Sequence, residues 1–565
     1  RDEWERISWD EALDYIAAEM QKAYDNWGPK SILAAAYSDI GEEYFDPIVC
    51  LLNAKGGAVH HDLGTVSLGS WPCVELFMTG SIFEAPDALS LAESQLHFHF
   101  GNNWAANKAG NTSLQLNYAK EQGGRLVIID PWLNQTAAAI ADEWVPILPG
   151  TDTAFCLGMM YHQVENNLQN QEFLDTYCVG FDAEHMPEGA DPKENFKDYL
   201  LGTYDGEPKT PEWATEICGT PVEDITWYAE MAGKNNAVMF LHSYAASRYL
   251  GAENLSQAFM TVSALGGHFG KSGHGSAAIY TWDAGDSGYR LIQHVGGDYG
   301  YVDNLVGSPA ATGPNRNIEG NSWWSSLADG KYLSSSEGPY DLGSSDVVGD
   351  PTKLRANTPV YHEAREMPVN PRMLVQTNSN FMQTRGNLAT AIKVMRAADT
   401  CVSFEIKFSL TAQFADIILP VCTHWEGNDD ESWGELSWPS PFGDGNGQKQ
   451  RKDALLAWKP LVKPMYEARE EKRVFREIIE RMGYNPDDAY PKSNYDQWLG
   501  YFLGMRVLNE DATKWEPVIT WTEADNEKYH ASYPAQEGKV AFDQFMADGS
   551  YVVERSEGDP RNYVG

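Results

Sequence analysis

Two acidic turns in the first third of the chain carry residue types that bind nucleotides. Asp130 directly follows an apolar segment typical of a buried strand, and Gly150 and Asp152 belong to a turn that opens a helical pattern. In an open α/β sheet, ligands bind at the carboxyl ends of the strands. A carboxylate there accepts hydrogen bonds from a ribose or a guanine, and the free amides of a helix N-terminus bind phosphate. Two such turns in series predict a large cofactor that carries a nucleotide.

Asparagines and other polar residues follow the remaining predicted strands. Asn102 and Asn103 end the predicted strand at 95–100, and we expect them to bind the same nucleotide together with Thr136. Side-chain amides at strand ends suit a neutral ligand that forms many hydrogen bonds, although a lone asparagine there more often forms an Asx turn. The residues expected to bind a second arm of the cofactor are Ser243, Arg248, Gly270, Asn378, Asn380, Gln383 and Asn387.

The elements that must position these residues alternate between strands and helices. The pattern predicts strands at 31–37, 95–100, 125–129, 237–242, 373–377, 401–405 and 416–419. It predicts helices at 10–27, 107–122, 152–165, 253–265, 388–396 and 470–482. Strands that alternate with helices of this length imply parallel sheets covered on both faces. We therefore expect an α/β fold.

Composition fits several folded domains and argues against some partners. With 565 residues, 42% of them hydrophobic, the chain can form more than one large core. The formal net charge of -39 argues against binding to nucleic acids or anionic membranes, because both favour Lys and Arg. No apolar run approaches the roughly 18 residues of a membrane span, so we expect no direct membrane insertion. The 7 cysteines include no C-x-x-C pair, which predicts buried free thiols.

Six segments, taken in order, resemble the molybdopterin oxidoreductases of the dimethyl sulfoxide reductase family. They are residues 4–13, 56–61, 100–104, the two acidic turns counted as one segment, 261–270 and 414–420. The resemblance extends over about residues 1–485 and implies a molybdenum bis(molybdopterin guanine dinucleotide) cofactor. It further implies a catalytic subunit, present here as a fragment that lacks the family's N-terminal iron–sulfur domain and C-terminal domain.

The same resemblance implies two interleaved, doubly wound α/β domains with mostly parallel sheets. Residues 1–66 and 366–500 would form one domain, which holds one pterin arm. Residues 67–290 would form an inserted Rossmann-like domain, which holds the other nucleotide. We expect residues 291–365 to be a surface insertion and residues 501–565 to be a tail that leads toward the missing C-terminal domain.

The family also implies that one protein side chain completes the molybdenum site, about ten residues after a Gly-Gly turn. Ser67 matches the family's serine if one residue is inserted before it, with Asp62 and Cys73 as alternatives. Thr65 and Val66 stand where the sulfoxide reductases have Asp and Tyr, which leaves both the register and the substrate open. Ser67 would otherwise be the cap of the next helix.

Four other residues are judged by their position on strands. His242 and Tyr244 lie at a strand end near the expected metal and are candidates for substrate contact. His97 and His99 alternate on one strand and face the same side, so we expect packed, hydrogen-bonded core histidines there instead of metal ligands.

The resemblance implies a molybdenum-dependent oxidoreductase of anaerobic respiration that transfers an oxygen atom and two electrons to a sulfoxide or an N-oxide. The alternatives are reductive dehydroxylation or hydroxyl transfer on catechols and phenols, or, from another class, a cofactor-free scaffold subunit of an electron-transfer complex. A plain NAD-dependent dehydrogenase is disfavoured, because no G-x-G-x-x-G follows a predicted strand.

The resemblance to the family also implies how the metal receives its electrons. Electrons would pass through a [4Fe-4S] cluster in the missing N-terminal domain and a separate ferredoxin-like iron–sulfur subunit, either free or joined to a membrane-anchor subunit. The family implies a location on the periplasmic side of the cell envelope.

Overall fold

A computed structural model of the protein describes residues 3–36, 52, 57–62, 74, 78–79, 88–107, 112–243, 249–277, 291–294, 317–334, 365–377, 380–423, 425–427, 440–443, 451–457, 461–489, 499–500, 502–510 and 513–554. The strands in these ranges are β1 (Ile32–Ala36), β2 (Val59–Asp62), β3 (Leu96–Phe100), β4 (Arg125–Ile129), β5 (Glu143–Val145), β6 (Val238–His242), β7 (Gly275–Ala277), β8 (Ile292–His294), β9 (Asn317–Glu319), β10 (Lys331–Ser334), β11 (Arg365–Pro368), β12 (Met373–Thr377), β13 (Thr400–Glu405), β14 (Ile417–Pro420), β15 (Ser440–Gly443), β16 (Arg451–Leu456), β17 (Met505–Leu508), β18 (Trp515–Pro517), β19 (Ile519–Thr520), β20 (Val540–Ala541) and β21 (Ser550–Glu554).

The α-helices within the same ranges are α1 (Trp9–Trp27), α2 (Trp104–Asn107), α3 (Thr112–Glu121), α4 (Gln135–Ala139), α5 (Asp152–Glu165), α6 (Gln171–Tyr177), α7 (Phe196–Leu200), α8 (Pro211–Cys218), α9 (Val222–Met231), α10 (Ala252–Gly266), α11 (Trp323–Asp329), α12 (Phe381–Thr384), α13 (Leu388–Ala397), α14 (Leu410–Phe414), α15 (Glu471–Arg481), α16 (Pro486–Ala489), α17 (Glu523–Lys528) and α18 (Phe542–Asp548). None of the described helices is both long and apolar enough to cross a bilayer.

The first large sheet has the strand order β14-β13-β12-β1-β2-β9, and all of its neighbouring strands are parallel. The order reverses between β1 and β12, which makes the sheet doubly wound. Helix α1 covers one face, where Leu13 and Ile16 are fully buried among residues of β12 and α15. Ser8 begins this helix, because its hydroxyl accepts the backbone N–H of Glu11 at 3.2 Å.

The second large sheet has the order β5-β4-β3-β6-β7 and is also parallel throughout. Its order reverses between β3 and β6. One face packs on α5, α8, α9 and α10 around Phe98 and Phe240. The other face packs on α2 and α3 around Leu126 and Leu241. Two parallel sheets with both faces covered confirm the predicted α/β fold class.

Residues 317–334 overturn part of the predicted surface insertion. Strand β9 adds to the edge of the first sheet, and helix α11 buries Trp323 and Trp324 in the core of that sheet. The prediction of a surface insertion at 291–365 is therefore wrong for these residues. The apolar residues of 317–334 stand in short groups, such as Trp323 and Trp324, so they give no extended period.

The predicted tail contains a folded core of its own. Strand β17 pairs with β8 and β18, and Phe502, Trp521 and Phe545 are fully buried with residues from 291–292. Residues 502–554 therefore include packed structure within the segment that was predicted as a tail.

The histidines of β3 are packed in the core, as predicted. His97 and His99 are buried, and Trp104 packs edge-on against the His99 ring with the centroids 4.7 Å apart. The predicted hydrogen bonds are not found for His99, since neither of its ring nitrogens has a partner among the described residues. Burial lowers the pKa of His99 well below its usual value, so this imidazole is neutral.

Candidate functional site

The carboxyl ends of β3 and β4 bring Asn103 and Thr136 into direct contact. The Asn103 side-chain oxygen accepts hydrogen bonds from both the backbone N–H and the hydroxyl of Thr136, each at 3.1 Å. The Thr136 hydroxyl in turn accepts the backbone N–H of Ala105 at 2.9 Å. Asn103 and Thr136 therefore join the turn after β3 to helix α4, which follows β4.

Asp130 is held at the end of β4 by two hydrogen bonds. One carboxylate oxygen accepts the backbone N–H of Trp132 at 3.1 Å, and the other accepts the Asn134 side-chain amide at 3.0 Å. Asn134 also donates to the backbone carbonyl of Asn102 at 3.0 Å and caps α4 by accepting the N–H of Ala137 at 2.9 Å. Asn134 was not predicted as a site residue, although an Asn directly before a short helical segment is a cap signal.

Asn102 presents a buried amide that the described residues leave without a partner. The residue is 1% exposed, and neither its side-chain oxygen nor its nitrogen has a hydrogen-bond partner within the described ranges. It follows β3, and the neighbouring Gly101 lies beside the turn after β6, because a Cβ added to Gly101 would lie 3.3 Å from the Ser243 hydroxyl oxygen. This is the point where the strand order reverses, at which ligands bind in such sheets.

A cleft opens beside this polar network. It has a volume of about 480 Å³ and is lined by Asn103, Trp132, Leu133, Asn134, Gln135 and Ala138. Trp132 is 71% exposed, so its indole ring is available to a ligand in the cleft. A flat aromatic ring beside hydrogen-bonding groups suits the stacking of a nucleobase.

Gly150 and Asp152 form a second part of the site at the start of α5. Gly150 has φ +76°, a conformation that favours glycine, and Asp152 is the first residue of the helix. Burial and the negative charge of Asp130 raise the pKa of the Asp152 carboxyl to about 6. The two acidic turns predicted from the sequence are therefore close enough in space for their charges to interact.

The residues expected to bind the second arm of the cofactor do not all lie together in the structure. Asn380 lies after β12, where its side-chain oxygen accepts the Thr411 hydroxyl at 2.7 Å and its nitrogen donates to Gln383 at 2.8 Å. Asn387 caps α13 by accepting the backbone N–H of Thr390 at 3.4 Å, so it has a local role in the helix.

Gly270 does not lie with the other predicted residues. Helix α10 carries the chain away from the carboxyl edge, and β7 then starts parallel to β6, which places residues 267–274 at the amino edge of the sheet. His268, in the same loop, contacts the backbone carbonyl of Ala232 just before β6, at 2.8 Å. The predicted cofactor contact of Gly270 is therefore wrong for this edge.

His242 ends β6 with its ring in the core. It packs edge-on against Phe259 at a centroid distance of 4.8 Å, and burial lowers its pKa to about 4. The imidazole is therefore neutral, and its packing does not favour the predicted contact with a substrate. Ser243, the next residue, begins the turn beside Gly101.

Several predicted residues lie outside the described part of the chain. These are Ser67, Tyr244, Arg248 and Asn378, together with the side chain of Asp62. The backbone of Asp62 ends β2 at the carboxyl edge of the first sheet. The identity of the metal ligand therefore stays a prediction.

Comparison with known proteins decides the family. Residues 1–481 match the model of the family described as molybdopterin oxidoreductase, which is most of the chain. The chain belongs to this family. The family predicted from the six segments is thereby confirmed.

Individual members of the molybdopterin oxidoreductase family match at low identity. The chain is 25% identical to dimethyl sulfoxide reductase DmsA of Escherichia coli, with 98% of this chain and 66% of that protein covered. It is 26% identical to trimethylamine-N-oxide reductase of Haemophilus influenzae, with 89% and 56% covered. It is 32% identical to the probable dimethyl sulfoxide reductase chain YnfF of Escherichia coli, with 52% and 37% covered. The chain thus spans less than two thirds of the length of these relatives.

A solved structure supports the fold of the family. Acetylene hydratase from Pelobacter acetylenicus matches 98% of this chain and 64% of its own chain, with a TM-score of 0.58 and 18% identity. At this identity the likeness concerns the fold alone.

Proposed function

We propose that this protein is the catalytic part of a molybdenum-dependent oxidoreductase that holds its metal on two pterins, each bearing a guanine nucleotide. When bound, this group supplies two-electron chemistry and oxygen-atom transfer at molybdenum. The observation that carries the proposal is the Asn102 amide, which is buried without a partner among the described residues at the switch point of the second sheet. A buried polar group is stable only when it is hydrogen-bonded, so a ligand with polar edges fits there.

Residues around Asn102 fit one nucleotide-bearing arm of the cofactor. The Asn103–Thr136 pair and the Asp130–Asn134 pair hold the edge rigid, and Trp132 offers a surface for stacking. Asp152 adds a carboxylate whose raised pKa favours a partner that donates hydrogen bonds to it. A guanine base carries such donors. These features also count against the cofactor-free scaffold, which has no use for them.

For the second arm and the metal ligand, the proposal follows the resemblance to the family. Ser243, Asn380 and Gln383 follow strands β6 and β12 at carboxyl edges and suit the second pterin arm. Ser67 would bind the metal, with Asp62 as the alternative. Tyr244, Arg248 and Asn378 keep the roles expected from the sequence.

A sulfoxide or an N-oxide is the proposed substrate, because relatives named for dimethyl sulfoxide and trimethylamine N-oxide match most of this chain. The fold alone does not decide the reaction, since acetylene hydratase shares it. The resemblance to DmsA supports work with an electron-transfer subunit. We propose a [4Fe-4S] cluster in a further N-terminal domain, a ferredoxin-like partner with a membrane anchor, and a periplasmic site in anaerobic respiration.

Metal and nucleotide analysis of the full-length protein, purified without oxygen, tests this function. We expect about one molybdenum and two GMP per chain, measured by mass spectrometry and by chromatography after acid release. Loaded protein should then oxidise reduced viologen with sulfoxides or N-oxides. Protein that contains neither molybdenum nor tungsten, and no GMP, from a host that loads a related enzyme would overturn the proposal. Loaded protein that is inactive on both substrate classes would overturn only the substrate.

A further inference from the structure

Tyr249 lies over the second acidic turn, although no sequence pattern marks it. Two carbons of its ring, Cδ2 and Cε2, are 3.8 Å from the place where a Cβ on Gly150 would stand. The tyrosine follows β6 and precedes α10, so it stands at the carboxyl edge of the second sheet, as Asn102 does. The backbone of Gly150, which carries no side chain, therefore lies against the Tyr249 ring.

The Tyr249 hydroxyl is buried and has no hydrogen-bond partner among the described residues. Burial raises the pKa of this phenol, and the neighbouring charge of Asp152 raises it further. The phenol therefore stays protonated at neutral pH and is able to donate a hydrogen bond. A buried hydroxyl without a partner destabilises the protein, so the group needs either a protein acceptor or a bound ligand.

Asn102, at the carboxyl edge of the second sheet, also has a buried polar group without a partner among the described residues. The residue is 1% exposed. Two buried, unsatisfied polar groups beside two carboxylates indicate a site shaped for a polar ligand and not a packed core. When it is ionised, the Asp152 carboxylate accepts hydrogen bonds and donates none. An acceptor atom on the ligand beside Asp152 therefore needs a donor from another residue.

We infer that Tyr249 is a further cofactor-binding residue, whose hydroxyl donates a hydrogen bond to the nucleotide held at the Asp152 turn. This inference rests on the proposed function. The ligand has donors for Asp152 and an acceptor for Tyr249 on neighbouring atoms, as the N–H groups and the carbonyl oxygen of guanine provide. Tyr249 thus adds a base-reading contact from the α10 side of the site.

The substitution Tyr249→Phe separates this role from a structural one. The ring is kept, so packing on Gly150 is unchanged, and only the hydroxyl is lost. In cofactor-free protein we expect the same or higher thermal stability, because an unsatisfied buried group is removed. In loaded protein we expect the intact cofactor to dissociate about five- to tenfold faster during dialysis at fixed temperature, which corresponds to the loss of one hydrogen bond. The cofactor that the protein retains is measured as the GMP that acid releases from it.

Tyr228→Phe is the matched control. Tyr228 lies in α9 of the same domain, and its hydroxyl donates to the Glu143 carboxylate at 2.6 Å. We expect this variant to lower the stability of the cofactor-free protein and to leave the rate of cofactor dissociation unchanged. Tyr249→Phe should therefore change cofactor dissociation without a loss of stability, whereas Tyr228→Phe should lower stability without a change in cofactor dissociation.

Three outcomes overturn the inference. Lower stability of cofactor-free Tyr249→Phe with an unchanged rate of cofactor dissociation means that the hydroxyl bonds to the protein. No change in either measurement means that only the ring matters. Parent protein without any nucleotide overturns the proposed function as well, whereas loaded parent with an indifferent Tyr249→Phe variant leaves the proposed function standing.

Discussion

Asn134 is the side chain that joins the two neighbouring strand ends of the proposed nucleotide site. Its amide nitrogen donates to the Asp130 carboxylate and to the Asn102 carbonyl, each at 3.0 Å, while its oxygen caps α4. The residue is 3% exposed, so water does not replace these bonds if they are lost. The positions of Asp130 and Asn102 therefore depend on the Asn134 side chain.

Removing this side chain should weaken both stability and cofactor retention. We predict that Asn134→Ala lowers the free energy of unfolding by about 2–3 kcal/mol, from a lost helix cap and buried groups left unpaired. Urea unfolding of cofactor-free protein measures it. Asn170→Ala is the control. Asn170 caps α6, where its side-chain oxygen accepts the backbone N–H of Phe173 at 3.1 Å, and this helix lies away from the site. The control should lose stability and keep GMP; equal loss of GMP in both variants would contradict the role of Asn134.

Asp152 should give the cofactor-free protein a distinct pH dependence. Its pKa is about 6 in the folded protein, above the ordinary value of 3.8, so the folded state binds the proton more tightly than the unfolded state. The free energy of unfolding therefore rises as the pH falls from about 6 to about 4, by on the order of 2 kcal/mol. Above that window the buried charge reduces stability.

The variant Asp152→Asn tests whether Asp152 causes the rise in the free energy of unfolding at lower pH. The amide does not titrate, so we expect the variant to be more stable than the parent at pH 7 and to lack the gain on acidification. Urea unfolding across the pH range measures both. Parallel pH profiles for parent and variant would assign the dependence to other carboxyl groups.

At the level of elements, the contact between α5 and α8 depends on a glycine. A Cβ on Gly158 would lie 2.7 Å from the Ala214 Cβ, closer than two such atoms approach in proteins. Helix α5 packs here against the helices that cover the second sheet. The close approach of these helices therefore requires one of the two positions to be small.

We predict that Gly158→Ala destabilises the protein by about 1–3 kcal/mol, because overpacking outweighs the better helix propensity of alanine. The second change Ala214→Gly removes the opposing methyl group. Thermal unfolding of the single variants and the double variant gives the coupling between the two sites. If the double variant is no more stable than Gly158→Ala alone, the clash is not the cause.

The elements with a long regular pattern were predicted well. Strands β4 and β12 and helix α5 have the predicted bounds, since each is a continuous apolar run or period that a turn residue ends. Residues 166–236 were assigned no element, yet they form the helices from α6 to α9. These helices are short, and Pro and Gly interrupt their sequence, so periodicity gives a weak signal there.

The contacts among the expected site residues could be predicted only where sequence order reflects strand ends. Asn103, Asp130 and Thr136 meet because each directly follows a strand or opens the next helix. Gly270 was misplaced because α10 reverses the direction of the chain before it. Tyr249 escaped prediction because its contact with Gly150 joins residues about one hundred positions apart, which no local pattern reports.

For the whole molecule, charge is the feature that acts at long range. The sequence has 81 acidic and 42 basic residues, so the net charge is -39. The ion pairs of the described part lie mostly at the surface, where each contributes little. Repulsion among the excess carboxylates therefore opposes the compact state.

Added salt should stabilise the protein, since it screens this repulsion. We predict that the free energy of unfolding increases by on the order of 1 kcal/mol or more between about 0.01 and 0.5 M sodium chloride at neutral pH. Thermal unfolding measures the change. A solution of sucrose at matched osmolality is the control, because it does not screen charge. A decrease with salt, or an equal increase with sucrose, would contradict the electrostatic cause.

The pairing of β1 with β12 sets the order in which the protein is completed on the ribosome. Ile32 pairs with Met373, so about 340 residues must be synthesised before this strand finds its neighbour. At roughly 5–20 residues per second, synthesis takes about 20–70 seconds to reach that point. All five strands of the second sheet emerge during this interval and are able to pair first. The nascent chain therefore exposes one apolar strand edge throughout this interval, so we expect chaperones that cover such edges to bind it.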